Sequence, residues 1–409
     1  MRSRIPATRK RTGECSRGFS SVCIQGRSDL FCRSEMRAAL PCWIMDRRTF
    51  LASAVPLFAQ GDAGFTPLPF ESWHVNDGPQ SAFFVDDGAI VVSESGNSPT
   101  WLRSDRQYEN FEFRCEFFVR GWIDSALYLH APRHGDAQGA GFAIKLFHKA
   151  GELKPEGMGA IFPLIAPLRN NVRSKGEWND LRVVFDWPRL QVWTNGELVH
   201  DFNVESQAET AFRLRQGYLG LQSLSYPIRF RNLRVRELPS KVSWKALYAG
   251  PGDLAANWQV EEGKAKWSEL GPVLRADGLG HLASRERYKD FEFFCYLRAS
   301  QFSNGGIIFR AEGSGQKPHE EIQIHDVSGA VYPTGSLYGR RRARYVSIPP
   351  ETWYPFQLIV RGPRCVVRVN GETVTDYTGL DRLDAGHIML QAHQAGKWIE
   401  YKDIRVRGL

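Results

Sequence analysis

Outside its first 60 residues the chain has little cysteine, no sustained helical period, no long apolar run and almost no net charge. Four of the seven cysteines, Cys15, Cys23, Cys32 and Cys42, lie before residue 60, which leaves only Cys115, Cys295 and Cys365. Three thiols without CxxC spacing make neither a disulfide framework nor a zinc site. The apolar run from Phe50 to Ala59 is too short to span a bilayer, and no other segment reads as a transmembrane helix. The formal net charge is +8, but residues 1–60 hold eleven basic and four acidic side chains, so seven of the eight charges lie there. The nearly neutral remainder lacks the electrostatic footprint of a nucleic-acid partner. The glycines of "AGPGD" and "SNGG" open no helix, so no phosphate-cradling loop is present. No Ser-His-Asp or Cys-His arrangement follows from spacing.

What the chain does contain is repetition. "RSDRQYENFEFRCEF" (103–117) answers "ASRERYKDFEFFCYL" (283–297), and "DSALYLHA" (124–131) answers "NGGIIFRA" (304–311). "EWNDLRVVFDWPRLQVWTNGELVHDF" (177–202) answers "TWYPFQLIVRGPRCVVRVNGETVTDY" (352–377), "GYLGLQS" answers "GHIMLQA", and "FRNLRVREL" (230–238) answers "YKDIRVRGL" (401–409). The offset drifts only from 180 to 171 residues between Phe111/Phe291 and Phe230/Tyr401, as loop insertions would make it. Each copy alternates apolar and polar residues in short runs. Asn195-Gly196 and Asn370-Gly371 each separate two such runs, a strong signal for a two-residue hairpin. The sequence predicts an all-β protein of two tandem jelly-roll β-sandwiches, residues 61–238 and 239–409. Cys115 and Cys295 fall at the same place in equivalent strands and read as buried free thiols. Twelve Trp and 25 Phe suit packed sheets and sugar stacking equally, so composition does not choose between them.

Ahead of the repeats, "MDRRTFLASAVPLFAQ" begins at Met45. Paired arginines, a short apolar run and small residues make a secretory signal, resembling the bacterial twin-arginine motif, over residues 45–60. Cleavage after Ala59 would export the protein to the periplasm or the cell exterior. Residues 1–44 are Arg- and Ser-rich without periodicity, and read as disordered or as an over-extended start.

Within the repeats one pair of strands differs in chemistry. "HEEIQIHD" (319–326) sets Glu321, Gln323 and His325 on one face, against Ile322 and Ile324 on the other. The matching "GFAIKLFH" (141–148) carries Ala143, Lys145 and Phe147 instead. Gln391 and His393 alternate with Ile388, Leu390 and Ala392, and Arg310 opposes Ile307 and Phe309. A polar strand face is most often solvated exterior. In a jelly roll, however, these faces can meet on one concave sheet. His325 and Asp326 beside Glu321 are residue types that suit a divalent metal, although an adjacent His-Asp at a strand end also reads as a turn. No motif demands a cofactor. His281, His319 and His387 read as loop or surface histidines, and "RRRAR" (340–344) as a solvated loop.

The ordered set of an export signal, "FEFRCEF", an "EIQI" strand, "LYG", "EWN", an "NG" hairpin, "LQAH" and "FRNLRV" resembles the DUF1080 or 3-keto-disaccharide hydrolase domain family. The resemblance covers both halves and implies the concanavalin A-like lectin/glucanase fold. It also implies action on glycosides already oxidised at C3 by a separate sugar 3-dehydrogenase. A C3 ketone acidifies the C2 hydrogen, a base removes it, the enolate expels the C1 substituent, and water adds. Carried onto this sequence, Glu321 or His393 is the base, and Arg310 or a metal stabilises the enolate. Gln323, Gln391, His325, Tyr338 and Trp353 border the substrate. Tyr354 stands where the family has the Asn of "EWN", and the first repeat departs at nearly every site position. The alternatives are a non-catalytic carbohydrate-binding protein or a structural surface protein.

Overall fold

The structure is a computed structural model that describes residues 63–94, 100–173, 176–313 and 319–409. The export-like segment at 45–60 and the stretch before it lie outside the described residues.

Alternation in two phenylalanine-rich strands sets both cores. Phe111, Phe113, Cys115 and Phe117 are buried in strand Phe111–Val119, and Phe291, Phe293, Cys295 and Leu297 in strand Phe291–Ala299. Residues two apart share a strand face, and each buried ring contributes ~1.5–3 kcal/mol. Each repeat has its own apolar core. Cys115 and Cys295 are buried free thiols, and burial pushes both well above the ordinary thiol range. Neither can act as a thiolate nucleophile at neutral pH.

Each repeat folds into a larger and a smaller antiparallel sheet, with matching strand order in the two copies. In the first, the larger sheet runs Glu197–Asn203, Arg189–Thr194, Glu177–Asp186, Phe111–Val119, Ile228–Glu237, Ala89–Val92, Phe83–Asp86. Its smaller sheet runs Trp73–Asn76, Thr100–Tyr108, Gly217–Ser223, Asp124–Ala131, Phe142–Phe147. In the second, the smaller sheet runs Trp258–Gly263, part of Val273–Tyr288, part of Gly386–Gly408, Gly305–Ala311, Glu320–Ile324. The two long strands then cross into the larger sheet, where they join Phe291–Ala299, Tyr354–Arg361, Arg364–Val369 and Glu372–Thr378. The second copy is therefore hydrogen-bonded as one 11-stranded sheet folded on itself. The bend falls at a register shift beside Gly278, whose φ of 116° suits glycine alone. This is the jelly-roll sandwich expected from the sequence.

Local details repeat as well. Asn195-Gly196 (φ 51° and 80°) and Asn370-Gly371 (φ 49° and 83°) form the two-residue turns, both left-handed as a type I′ hairpin requires. Ser104 Oγ accepts from the Leu219 amide (3.1 Å) and donates to the Arg106 carbonyl (2.9 Å). Its counterpart Ser284 accepts from Ile388 (3.0 Å) and donates to Glu286 (2.7 Å).

The two sandwiches belong to one compact unit, Gln60–Leu409. Turns at one end of the first pack on the outer face of the second copy's larger sheet. Arg368, buried on that face, donates to the carbonyls of Phe212 (2.7 Å) and Gly139 (2.8 Å) in the first repeat. Asn370 Oδ1 accepts from the Asp136 amide (2.9 Å), and Tyr296 Oη from the Arg133 amide (2.7 Å). Phe294 and Tyr296 close this junction against Ala140 and Leu214. Among the described residues no helix is long and apolar enough to cross a membrane.

Candidate active site

The smaller sheet of the second repeat gathers most of the polar residues singled out in the sequence. Ile322 and Ile324 face the core, so Glu321 and Gln323 face outward. Strand pairing then aligns Gln323, Gly306, Gln391 and His281 side by side across four strands. Adjacent strands stand ~4.8 Å apart, so this row is about the width of one or two sugar rings. Glu321, opposite Ile308, leans over the row, because a Cβ on Gly306 would stand 2.4 Å from Glu321 Oε1. Gly306 is thus the space in which the carboxylate lies.

Electrostatics distinguish Glu321 from a solvated acid. Among the described residues no donor hydrogen-bonds to it. Burial pushes its carboxyl above the usual carboxylate range, and His319 only partly offsets this. Gln323 is held by a hydrogen bond from its Nε2 to Asn304 Oδ1 (2.6 Å). Gln391 Nε2 lies 3.3 Å from His281 Nε2. As an amide nitrogen can only donate, this contact assigns the imidazole proton to Nδ1. That Nδ1 is buried, makes no hydrogen bond, and lies 3.8 Å from Glu262 Oε2. Burial lowers the pKa of His281, Glu262 raises it, and His319 and His393 lower it further. His281 is therefore neutral and accepts from Gln391 through Nε2. His393, opposite Leu279, is exposed at the rim of the same face. Tyr338 is also exposed, 5.1 Å from the ring of Tyr332, and its amide donates to the Glu321 carbonyl (2.9 Å). These rings edge the strand that carries the carboxylate.

Three residues sit elsewhere than expected. Arg310 does not reach this face. It follows a β-bulge, has a left-handed φ of 48°, and is fully buried. Its guanidinium donates to the carbonyls of Lys289 (2.9 Å), Gly362 (2.9 Å) and Arg382 (2.6 Å) and to Asp290 (2.9 Å). Four of its five N–H donors are engaged there, and the buried group does not reach an enolate on the Glu321 face. Its counterpart His130 has the same left-handed backbone (φ 51°) and bridges the carbonyls of Leu214 (2.9 Å) and Glu109 (2.6 Å). The position ties loops to the sandwich end in both copies. Arg310→Met is expected to cost about 3–5 kcal/mol of stability by leaving buried acceptors unpaired, measured by denaturant unfolding.

Trp353 faces the other repeat. It lies beside Phe294 and Tyr296, between the cations of Arg298 (4.7 Å) and Lys402 (4.2 Å), and 6.3 Å from the His134 ring. It leads directly into strand Tyr354–Arg361 of the larger sheet, so it does not border the Glu321 face. His325 ends the polar face with Nδ1 2.9 Å from the Ser303 carbonyl. Asp326 turns away to accept from Thr334 and Tyr354. Glu321, His325 and Asp326 do not converge, and no three His, Cys, Asp or Glu among the described residues group to hold a metal ion. The donor set does not fit a metal held as the sequence suggested.

His281 was missed because Gly278 and Gly280 interrupt its strand and disguise it as a loop. Extending the repeat alignment two residues back from Ala283 finds it, opposite Trp101. That pairing also shows what became of the first copy. Trp101 and Tyr128, edge to face with centroids 5.6 Å apart, fill the equivalent face. The Gln323–Asn304 amide pair is replaced by an ion pair of Lys145 with Asp124, with Lys145 over the Phe162 ring (4.5 Å). Basic "RRRAR" is partly neutralised within the fold: Arg340 pairs with Glu320 (3.0 Å) and Asp381 (2.8 Å), and Arg344 with Glu372.

The model of the 3-keto-alpha-glucoside-1,2-lyase-like domain matches residues 67–236 and again 243–407. The chain belongs to that family, in two tandem copies. Membership in the 3-keto-alpha-glucoside-1,2-lyase-like family makes it a carbohydrate-active protein. Among solved structures it is similar to a candidate glycosyl hydrolase from Parabacteroides distasonis, at 20% identity and a TM-score of 0.38 over 43% of this chain and 94% of that one. It is also similar to the carbohydrate-binding module CBM66 of Bacillus subtilis (14%, TM-score 0.31, covering 41% and 96%). A Bacillus licheniformis β-glucanase matches at 12% identity and a TM-score of 0.31, covering 42% and 100%. No curated protein matches the sequence.

Proposed function

We propose that the second repeat cleaves 3-keto-glycosides by elimination and hydration, with Glu321 as the base that removes the C2 proton. The observation that carries this reading is the half-buried carboxylate of Glu321, without a hydrogen-bond donor among the described residues and with its pKa raised by burial. Once ionised, such a carboxyl is a stronger base than a solvated one. Gln391, steadied by the contact of its Nε2 with His281, is the neutral donor that receives the enolate oxygen. His393 at the rim protonates the departing C1 oxygen. Tyr338 and Tyr332 offer ring faces to the sugar. The substrate comes from a sugar 3-dehydrogenase acting upstream, and the signal-like segment at 45–60 adds export to the proposal.

The test is product analysis by NMR with residues 61–409, a 3-keto-disaccharide and its unoxidised parent. Cleavage of the keto sugar alone is expected. Saturable binding of either sugar without cleavage would instead favour a lectin, a reading that the aromatic pair Trp101–Tyr128 on the first copy's face supports.

A further inference from the structure

We infer that the cleft between the two sandwiches is a binding site for a small organic anion, gripped by Arg215 of the first repeat and Arg361 of the second. The cleft is a cavity of about 310 Å³ whose walls carry five arginines against two glutamates. That volume lies at the lower end of small-molecule sites, ~300–1,000 Å³. It is distinct from the Glu321 face, since Glu292, Ile359, Val366 and Arg407 in its wall belong to the larger sheet. The proposal does not depend on the activity of that face.

Most of the charges in the wall are already engaged. Arg407 pairs with Glu292 (2.6 Å), and Arg364 grips Asp376 through two contacts (2.8 and 2.7 Å). Arg213 is spent on the carbonyls of Glu209 (2.9 Å), Gln138 (2.8 Å) and Gly141 (2.6 Å). Glu205 accepts from the indole N–H of Trp187 (2.8 Å). Two cations remain. Arg215 lies 4.9 Å from the ring centre of Trp187, with its Nε buried and without a partner. Among the described residues no acid pairs with it. Arg361 is exposed at the mouth, and no acid among the described residues pairs with it either.

An unpaired guanidinium held half out of water is costly, and its cost falls when an anion arrives. Burial and the neighbouring Arg407 lower the pKa of Arg215, and Glu292, Glu109 and Glu205 only partly offset this. A guanidinium fork matches a carboxylate or a phosphate group. The Trp187 ring fixes the plane of the fork. Because the two cations come from different repeats, the ligand also clamps one sandwich to the other.

The experiment is calorimetric titration of the protein with D-glucuronate, glucose 6-phosphate, inorganic phosphate and, as neutral control, methyl glucoside, at constant ionic strength set with sodium chloride. Saturable binding of at least one anion is expected, with none of the glucoside. Which anion binds best separates a carboxylate from a phosphate ligand. Arg215→Gln and Arg361→Gln are each expected to weaken binding about 10- to 100-fold, as loss of a charge-assisted hydrogen bond would. The bound anion should raise the unfolding temperature of the wild type. Arg361 is exposed, so Arg361→Gln keeps the fold and serves as control for Arg215→Gln. Absence of binding by all three anions, or binding unchanged in both variants, would overturn the proposal.

Discussion

Glu321→Gln is expected to lower kcat on a 3-keto-glycoside by about 10²- to 10⁴-fold, the range ascribed to a positioned general base. KM should change little, because glutamine keeps the shape and still fills the space above Gly306. The fold should be retained: the Glu321 side chain makes no hydrogen bond among the described residues and is not part of the core. The wild-type pH profile supplies an independent check. A base must be deprotonated to act, so activity falls as pH drops through the pKa of Glu321. Burial raises that pKa, so the acid limb should lie above the ordinary glutamate value of about 4.3. The same shift means that the ionised carboxylate destabilises the fold. Replacement by glutamine is therefore expected to leave stability at neutral pH unchanged or improved, while activity is lost. A variant that lost both together would point to a structural residue.

The second large effect concerns Arg368. It is fully buried between the copies, and burial holds its pKa down to about 9, with Arg213 adding to the effect. Its donors reach Phe212 and Gly139 in one repeat and Gly371 and Gln357 in its own. Arg368→Met removes the desolvation cost of the cation but strands several buried acceptors, each worth ~1–3 kcal/mol unpaired. The strandings outweigh the relief, and a net loss of about 3–5 kcal/mol is expected. Calorimetry should then show the two sandwiches melting as separate transitions. A single, unshifted transition would mean that the apolar contacts of Phe294 and Tyr296 hold the junction alone.

Much of this architecture was legible because it depends on local pattern. The alternation of "FEFRCEF" and "FEFFCYL" fixes which side chains enter the cores, and the Asn-Gly pairs fix two hairpins. The polar face of Glu321, Gln323, Gln391 and His393 follows from the same period-two argument. What failed depended on interruptions of that period or on long-range placement. A bulge at Arg310 redirects its side chain to the sandwich end, and no alternation rule sees a bulge. Trp353, expected from the resemblance to border the substrate, lies instead on the outer face at the junction of the repeats. Which sheet that face belonged to, and that the first repeat would cover it, are properties of the folded chain. His281 was hidden by the glycines that let its strand turn a corner. Asp326 was lost to a turn through Thr334, the competing reading of a His-Asp pair at a strand end.

The central claim is that Glu321 takes the C2 proton. Exchange of that proton tests it more directly than turnover, because exchange does not require the glycosidic bond to break. A 3-keto-disaccharide is incubated in deuterium oxide with the wild type and with Glu321→Gln, and the C2–H signal is followed by NMR against a buffer control. The account predicts enzyme-dependent loss of that signal with the wild type, no faster than buffer with Glu321→Gln. Exchange at the wild-type rate in Glu321→Gln, or cleavage by the wild type with the C2 hydrogen fully retained in the product, would contradict it.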